Sequence, residues 1–430
     1  MQDIPGFVFR RADFEFDNMM ARTQRHSGVI VCLALFFTFC LFFTFRSGPG
    51  AASESRPAGE SAPSNGANKQ PELGEAPGAD LPRLLGKPLD YALNCPPYKN
   101  SSLYTERQFS MVIGPEKDWV REIEEAKPST EILLRDGTYN LARHAVLVAD
   151  KLTIRSLSGD RSSVSIVGRG YSVPGEGLML LGNDITIADL TITAMRDHAI
   201  SIKPLEGARR GSRIYNVHLV DIGTQHVKLN TGGSANGLVA CSSVGYGEGG
   251  VIGDYNGAID LHQAKDWIVR DNYLYGIRGD GTGCNVKRDC GKYTSGPAVL
   301  AWRQSSGTRV TRNVIFDSYR NIAFGLGSSH EGGVISYNLI VQARPGDAGI
   351  ELQNASGALV EYNTVVLSGA YPGAIEYRDS RNLHIHTNYL TSAPLDRGGN
   401  SSITVQRNNV DPLLAGKIGI KEIWDLQSDE

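Results

Sequence analysis

Asp260 and His262 stand two residues apart in "YNGAIDLHQAKDWIVRDN", a spacing that puts both side chains on one face of a β-strand. A carboxylate beside an imidazole suits proton transfer or metal ligation, and it also occurs as plain polar contact on an outer face. Other short stretches repeat the spacing: Lys228 and Asn230 in "HVKLN", Glu351 and Gln353 in "GIELQ", and Glu376 and Arg378 in "AIEYR". Trp302 ends "AVLAW" and Arg303 follows it. Brought together, these residues supply a base (His262 or Lys228) and a cation for a carboxylate (Arg303). Asn230, Asp260 and Glu351 are oxygen ligands for a metal, and Trp302, Gln353 and Arg378 can grip a sugar. Those are the parts needed to remove a proton α to a carboxylate and to stabilise the resulting enediolate.

The elements that would position them follow from a repeat. Asn313, Asn338, Asn363 and Asn388 are spaced by twenty-five residues. Asn272 precedes them across a longer, Cys-containing insertion, and Asn216 in "IYNVH" is read as opening the series. Between successive asparagines runs a second alternating strand: "AISIK", "HVKLN", "AIDLH", "AVLAW", "NIAFG", "GIELQ" and "AIEYR". One set of side chains in each is apolar and the alternate set faces out. Short periodic strands broken by Gly, Asp and Ser, without intervening helices, predict an all-β parallel β-helix with a ladder of stacked asparagines. "EKDWVREIEEA" predicts a short capping helix presenting Trp119, Val120 and Ile123 before a first coil at "TEILLRDGTYNL". The apolar "LLAGKIGIKEIWDLQ" is expected to cover the far end.

Coils of such a solenoid lie about 4.8 Å apart, so Lys228, Asn230, Asp260 and His262 are expected to form one cluster, with Trp302 and Arg303 a coil further on. His226 and His330 could line the same face. Lys203, Glu351 and Glu376 are weighed against simple solvation of an outer face.

"TEILLRDGTY" after a capping helix, "NDITIADLTI", "SGTRVTRNVIFDSYRNIAFGLG" and "EYNTVV" with "GAIEYR" resemble the right-handed parallel β-helix proteins of the pectate-lyase-like superfamily, over about Thr130 to Asn409. That fold hosts lyases, hydrolases, esterases, C5-epimerases and non-catalytic fibres. The Asn-Thr-Asp, Asp-Asp and Gly-His-Gly set of polygalacturonase-like hydrolases is absent, as are the Gln-Asp-Thr-Leu of pectin methylesterases and the Asp-Pro-His-Asp of mannuronan epimerases. The resemblance to β-helix lyases implies Ca²⁺ held by Asn and Glu side chains, a Lys base and an Arg on the next coil. Arg303 stands close to that Arg, whereas the position of the Lys holds Gln263. The implied partner is an acidic polysaccharide and the implied reaction β-elimination or C5-epimerisation. A non-catalytic carbohydrate-binding or structural protein and a glycoside hydrolase using Asp260 with Asp254 are the alternatives.

The 430-residue chain has a net charge of −3, without the basic field that nucleic acid requires. Its first 28 residues read as a cytoplasmic tail, and Val29 to Phe45, uncharged over seventeen residues, as a signal-anchor near the lower length limit for a bilayer span. Arginines cluster before the span, which predicts a type II orientation in the secretory pathway (Golgi) or at the cell surface. Residues 46–88, rich in Pro, Gly, Ser and Glu, read as a disordered stalk, leaving 89–430 as the lumenal or extracellular domain. In an oxidising lumen Cys284 and Cys290, flanking "NVKRD", are expected to form a local disulfide. Asn100, Asn354 and Asn400 open Asn-x-Ser sequons for N-glycosylation.

Overall fold

The computed structural model describes residues 95–204, 207, 209–247, 256–278, 295–368 and 371–414. The expected tail, span and stalk lie outside them, as do Asp254, Cys284, Cys290 and nearly all of the C-terminal apolar stretch.

A single coil shows how the sequence makes the fold. Arg309–Thr311, Val314–Phe316, Arg320–Gly325 and His330–Glu331 are its four strands, and Val334–Ser336 begins the next coil on top of Arg309–Thr311. Repeated along the chain, this produces parallel sheets of 12, 11, 10 and 6 strands among the described residues. Apolar residues of alternate positions stack inward coil upon coil: Ile202, Leu229, Leu261, Ala301, Phe324 and Leu352 are all fully buried. The topology is that of the right-handed parallel β-helix expected from the resemblance.

The corner between the 12- and 11-stranded sheets is where alternation breaks. Asp271, Arg312, Tyr337, Tyr362 and Thr387 take left-handed φ between 54° and 58°, which turns the chain so that the next residue points in. That next residue is the asparagine. Asn272, Asn313, Asn338, Asn363, Asn388 and Asn408 form a continuous ladder, each Nδ2 donating to the Oδ1 of the next at 2.9 Å. Asn216 does not open it. In its coil Val217 pairs in register with Ser242 and Asn272, and Asn216 occupies the corner itself (φ 50°), donating to Asp189 instead. Ser242 is the first rung, its N–H donating to Asn272 Oδ1 at 3.0 Å.

The N-terminal end is capped by the helix Trp119–Glu124, begun by the Asp118 carboxylate and burying Trp119, Val120 and Ile123 as expected. The solenoid starts earlier than the sequence reading placed it, because Phe109–Ile113 already pairs with Thr130–Leu134. Before that strand a segment runs along the outside, tied by a disulfide between Cys95 and Cys241 and by the Tyr98 N–H on Asp189 at 2.9 Å.

Candidate functional site on the ten-stranded sheet

The register of the ten-stranded sheet places Ser201, Lys228, Asp260, Leu300, Ala323, Glu351 and Glu376 in one outward column. Two residues on, His262 pairs with Trp302 and Gln353 with Arg378. The column is not a solvated face. Asp260 is 2% exposed and His262 6%, because each packs against the side chains one coil away.

Asp260 is the centre of the first cluster. Lys228 Nζ donates to its Oδ2 at 2.5 Å, and the Trp302 indole N–H donates to its Oδ1 at 3.0 Å. His262 Nε2 lies 3.2 Å from the same Oδ1 and 3.0 Å from Lys228 Nζ. An ammonium can only donate and a carboxylate can only accept, so Nε2 cannot satisfy both. Lys228 already has Asp260 Oδ2; the consistent tautomer donates Nε2–H to Asp260 and leaves the lone pair on Nδ1. Trp302 is held edge-on to His262 at 4.9 Å between centroids, and the Arg303 guanidinium lies 4.8 Å over the Trp302 ring. Arg303 is exposed and has no carboxylate partner among the described residues.

Electrostatics sets the protonation states. Burial alone would raise the Asp260 carboxyl, but Lys228 and the hydrogen bond with His262 outweigh it and hold it far below the usual carboxylate range. Burial lowers the His262 imidazole, and the Asp260 carboxylate only partly restores it, so the ring is neutral at pH 7. The result is an ionised, buried carboxylate orienting a neutral imidazole.

The expected metal set does not assemble. Glu351 stands three coils beyond Asp260 in the column, roughly 14 Å at the usual strand spacing. Both Asp260 oxygens are taken by donors, and Asn230, whose buried Nδ2 has no hydrogen-bond partner among the described residues, adds one oxygen at most. Ca²⁺ takes 6–8 oxygen ligands, so Asn230, Asp260 and Glu351 do not fit it. Among the described residues no group of three or more His, Cys, Asp or Glu is placed to hold a metal. His226 and His330 also leave the expected face. His226 is fully buried between the Gly257 and Gly245 carbonyls, and His330 stacks on Phe324 at 4.0 Å.

Glu351 belongs to a second cluster in the same column. Arg320 donates to its Oε2 at 2.6 Å and reaches Asp347 at 3.3 Å; Tyr371 donates to the neighbouring Glu376 at 2.6 Å, and Arg397 lies 3.5 Å from it. Burial, with Glu376 and Asp347 nearby, pushes Glu351 up to about 7 against the pull of Arg320. Lys203 too is paired, with Glu176 at 2.8 Å, and Glu176 also accepts from Ser201 at 2.7 Å. Gln353 and Arg378 lie beside Glu351 and Glu376, away from Asp260. Sequence reasoning missed Glu176, Arg320 and Tyr371. They lie in turns or at a strand start, outside the alternating pattern that singled out the others. Gln263, in the place of the expected Lys, is a corner residue (φ 51°) whose Oε1 accepts from Gly232 N at 2.7 Å.

Of the sequons, Asn100 and Asn400 are exposed and Asn354 is half-buried at a corner.

No family model matches the sequence, and no curated protein matches it. Solved structures do. An alginate lyase from Paenibacillus sp. str. FPU-7 is 14% identical, with 70% of this chain and 99% of that one covered and a TM-score of 0.46. A lacto-N-biosidase of family GH136 from Eubacterium ramulus is 11% identical, covering 70% and 68%, at a TM-score of 0.49. The A-module of a mannuronan C-5 epimerase from Azotobacter vinelandii is 10% identical, covering 70% and 84%, at 0.40. These are likenesses of fold.

Proposed function

We propose that this chain binds an acidic polysaccharide along the outer face of the ten-stranded sheet and abstracts the proton α to a uronate carboxylate, leading to β-elimination or C5-epimerisation. The observation that carries the reading is the contact set of Lys228, Asp260, His262 and Trp302, with the Arg303 guanidinium, which has no carboxylate partner among the described residues, over the Trp302 ring. Arg303 pairs with the substrate carboxylate, and Trp302 offers its ring to a sugar face. His262 Nδ1 takes the proton from C5, and the electron pair enters the carboxylate as an enediolate facing Arg303. In elimination the pair returns to form the C4–C5 double bond while the C4–O bond breaks, and the leaving oxygen takes a proton from the Lys228 ammonium. In epimerisation a water molecule returns a proton to C5 from the opposite face, and the proton held on His262 Nδ1 passes to solvent. The apolar run Val29 to Phe45 and the arginines before it support placing this activity on a type II anchor in the secretory pathway or at the cell surface.

The full-length protein incubated with alginate, polygalacturonate and chondroitin is expected to give ultraviolet absorbance from unsaturated ends if it is a lyase. An epimerase would instead incorporate solvent deuterium at C5 without cleavage. His262→Ala is expected to lower either rate by about 10²–10⁴-fold. Activity that survives His262→Ala and Lys228→Ala unchanged would sink the assignment.

A second reading, glycoside hydrolysis, draws on Glu351 as a carboxylic acid pushed up to about 7, so that part of it keeps its proton at neutral pH, beside Glu376. It predicts new reducing ends without unsaturation, lost in Glu351→Gln and retained in His262→Ala.

A further inference from the structure

The turns that lead into the ten-stranded sheet at the start of the solenoid open a cleft lined by Arg143, His144, Arg169, Glu176 and Arg196. The three arginines come from successive coils. Asn140, Val167 and Thr193 are paired in register, and the arginines follow them by three, two and three residues, in equivalent turns of coils stacked at about the 4.8 Å strand spacing. Stacking like charges at that pitch is unfavourable unless anions lie between them. The protein supplies few. Arg143 holds Glu124 through two bonds of 2.6 Å, Arg169 donates to the Pro174 carbonyl at 2.8 Å, and Arg196 is exposed, without a hydrogen-bond or carboxylate partner among the described residues. Glu176, the one carboxylate in the lining, is engaged by Lys203 and Ser201.

The cleft and the Lys228 site belong to neighbouring coils. Ser201, on Glu176, is the cross-strand neighbour of Lys228, and the Arg196 coil is the one directly before the Lys228 coil.

We propose that this cleft is a second anionic subsite, in which Arg196 and Arg169 bind the carboxylate or sulfate of a sugar unit further along the same chain whose reacting unit sits at Asp260 and His262. A planar guanidinium matches either group with paired hydrogen bonds, so the subsite selects chains carrying acid groups on neighbouring units over chains with an isolated one. The inference rests on the reading of the Lys228 site given above.

Binding to the full-length protein is measured by calorimetry with disaccharides and hexasaccharides of mannuronate, of galacturonate and of sulfated chondroitin, which separates carboxylate from sulfate. Arg196→Ala and Arg169→Ala are expected to weaken hexasaccharide binding at least about tenfold each, the scale of one lost charge-assisted hydrogen bond. In Arg196→Ala, disaccharide binding and thermal midpoint are expected to stay as in the wild type, since Arg196 supports no other group among the described residues. Unchanged hexasaccharide affinity in both variants, with Arg303→Ala losing it, overturns the subsite and leaves the reading of the Lys228 site standing. Loss in the arginine variants with Arg303→Ala unaffected keeps the subsite and overturns the reading of the Lys228 site. A wild-type protein that binds none of the three series overturns both.

Discussion

Lys228 and Asp260 share a buried ion pair whose value depends on both members being present. Removing one partner leaves a charge in a place water barely reaches, with side-chain exposures of 13% and 3%. Lys228→Met is therefore expected to lower stability by about 3 kcal/mol, and the double variant with Asp260→Asn to recover part of it, as read from denaturant unfolding. Equal stability of the single variant and the wild type would contradict the ion pair. Glu351 gives a pH prediction of opposite origin. Its pKa in the folded protein, about 7, lies above the ordinary 4.5, so folding favours the protonated form. That contribution is complete below pH 4.5 and is lost as pH rises through 7, a difference of up to about 3 kcal/mol. Glu351→Gln, fixed in the neutral form, is expected to match the wild type near pH 4.5 and to melt at higher temperature at pH 8. His226 runs the other way. Burial lowers it from 6.5 to about 4, so its stabilising contribution is present above pH 6.5 and lost as pH falls through 4. His330, also lowered to about 4, adds to the same acid-side loss. His226→Gln is expected to take up about one proton fewer than the wild type on unfolding at pH 5 and the same number at pH 8, which potentiometric titration measures.

The asparagine ladder is where a single element controls several coils. Asn338 accepts from the Asn313 backbone N–H and amide at 3.0 and 2.9 Å, and donates to Val310 O and Asn363 Oδ1 at 2.9 Å each. All of these bonds are buried, so losing the side chain orphans groups on both neighbouring coils. Asn338→Ala is expected to cost about 3 kcal/mol or more, and Asn408→Ala, at the half-buried end of the ladder, clearly less. Equal losses at the two positions in chemical denaturation would show that the ladder bonds do not act in series.

At the scale of the whole molecule, most charges on the outer face are neutralised in place: Arg143 by Glu124, Lys203 by Glu176, Lys228 by Asp260 and Glu351 by Arg320. The Cys95–Cys241 bond acts at this scale too, closing a loop with a sequence separation of 146 and anchoring the outer segment midway along the solenoid. Cys95→Ser is expected to lower stability by roughly 2–5 kcal/mol, mostly through a less restricted unfolded chain. Addition of reductant should reproduce the shift in thermal midpoint in the wild type and leave the variant unmoved.

The sequence by itself determined the solenoid, because a core stacked from equivalent positions must repeat its apolar pattern and its corner residue at a near-constant interval. The spacing from Asn313 to Asn388 and the aligned strands from "AISIK" to "AIEYR" carried that information, and with it the column containing Lys228, Asp260 and His262. Asn216 was misread because a corner residue and a ladder residue differ by one position, and only the pairing of Val217 with Ser242 fixes the register. What the tertiary structure alone decided was partnership. That Lys228 spends itself on Asp260, that Trp302 turns its indole N–H toward the same carboxylate, and that Glu351 joins Arg320 and Tyr371 depend on side-chain directions and on turns outside the repeat. The Cys95–Cys241 bond is of the same kind, since two positions so distant in sequence meet only once the coils between them have been wound.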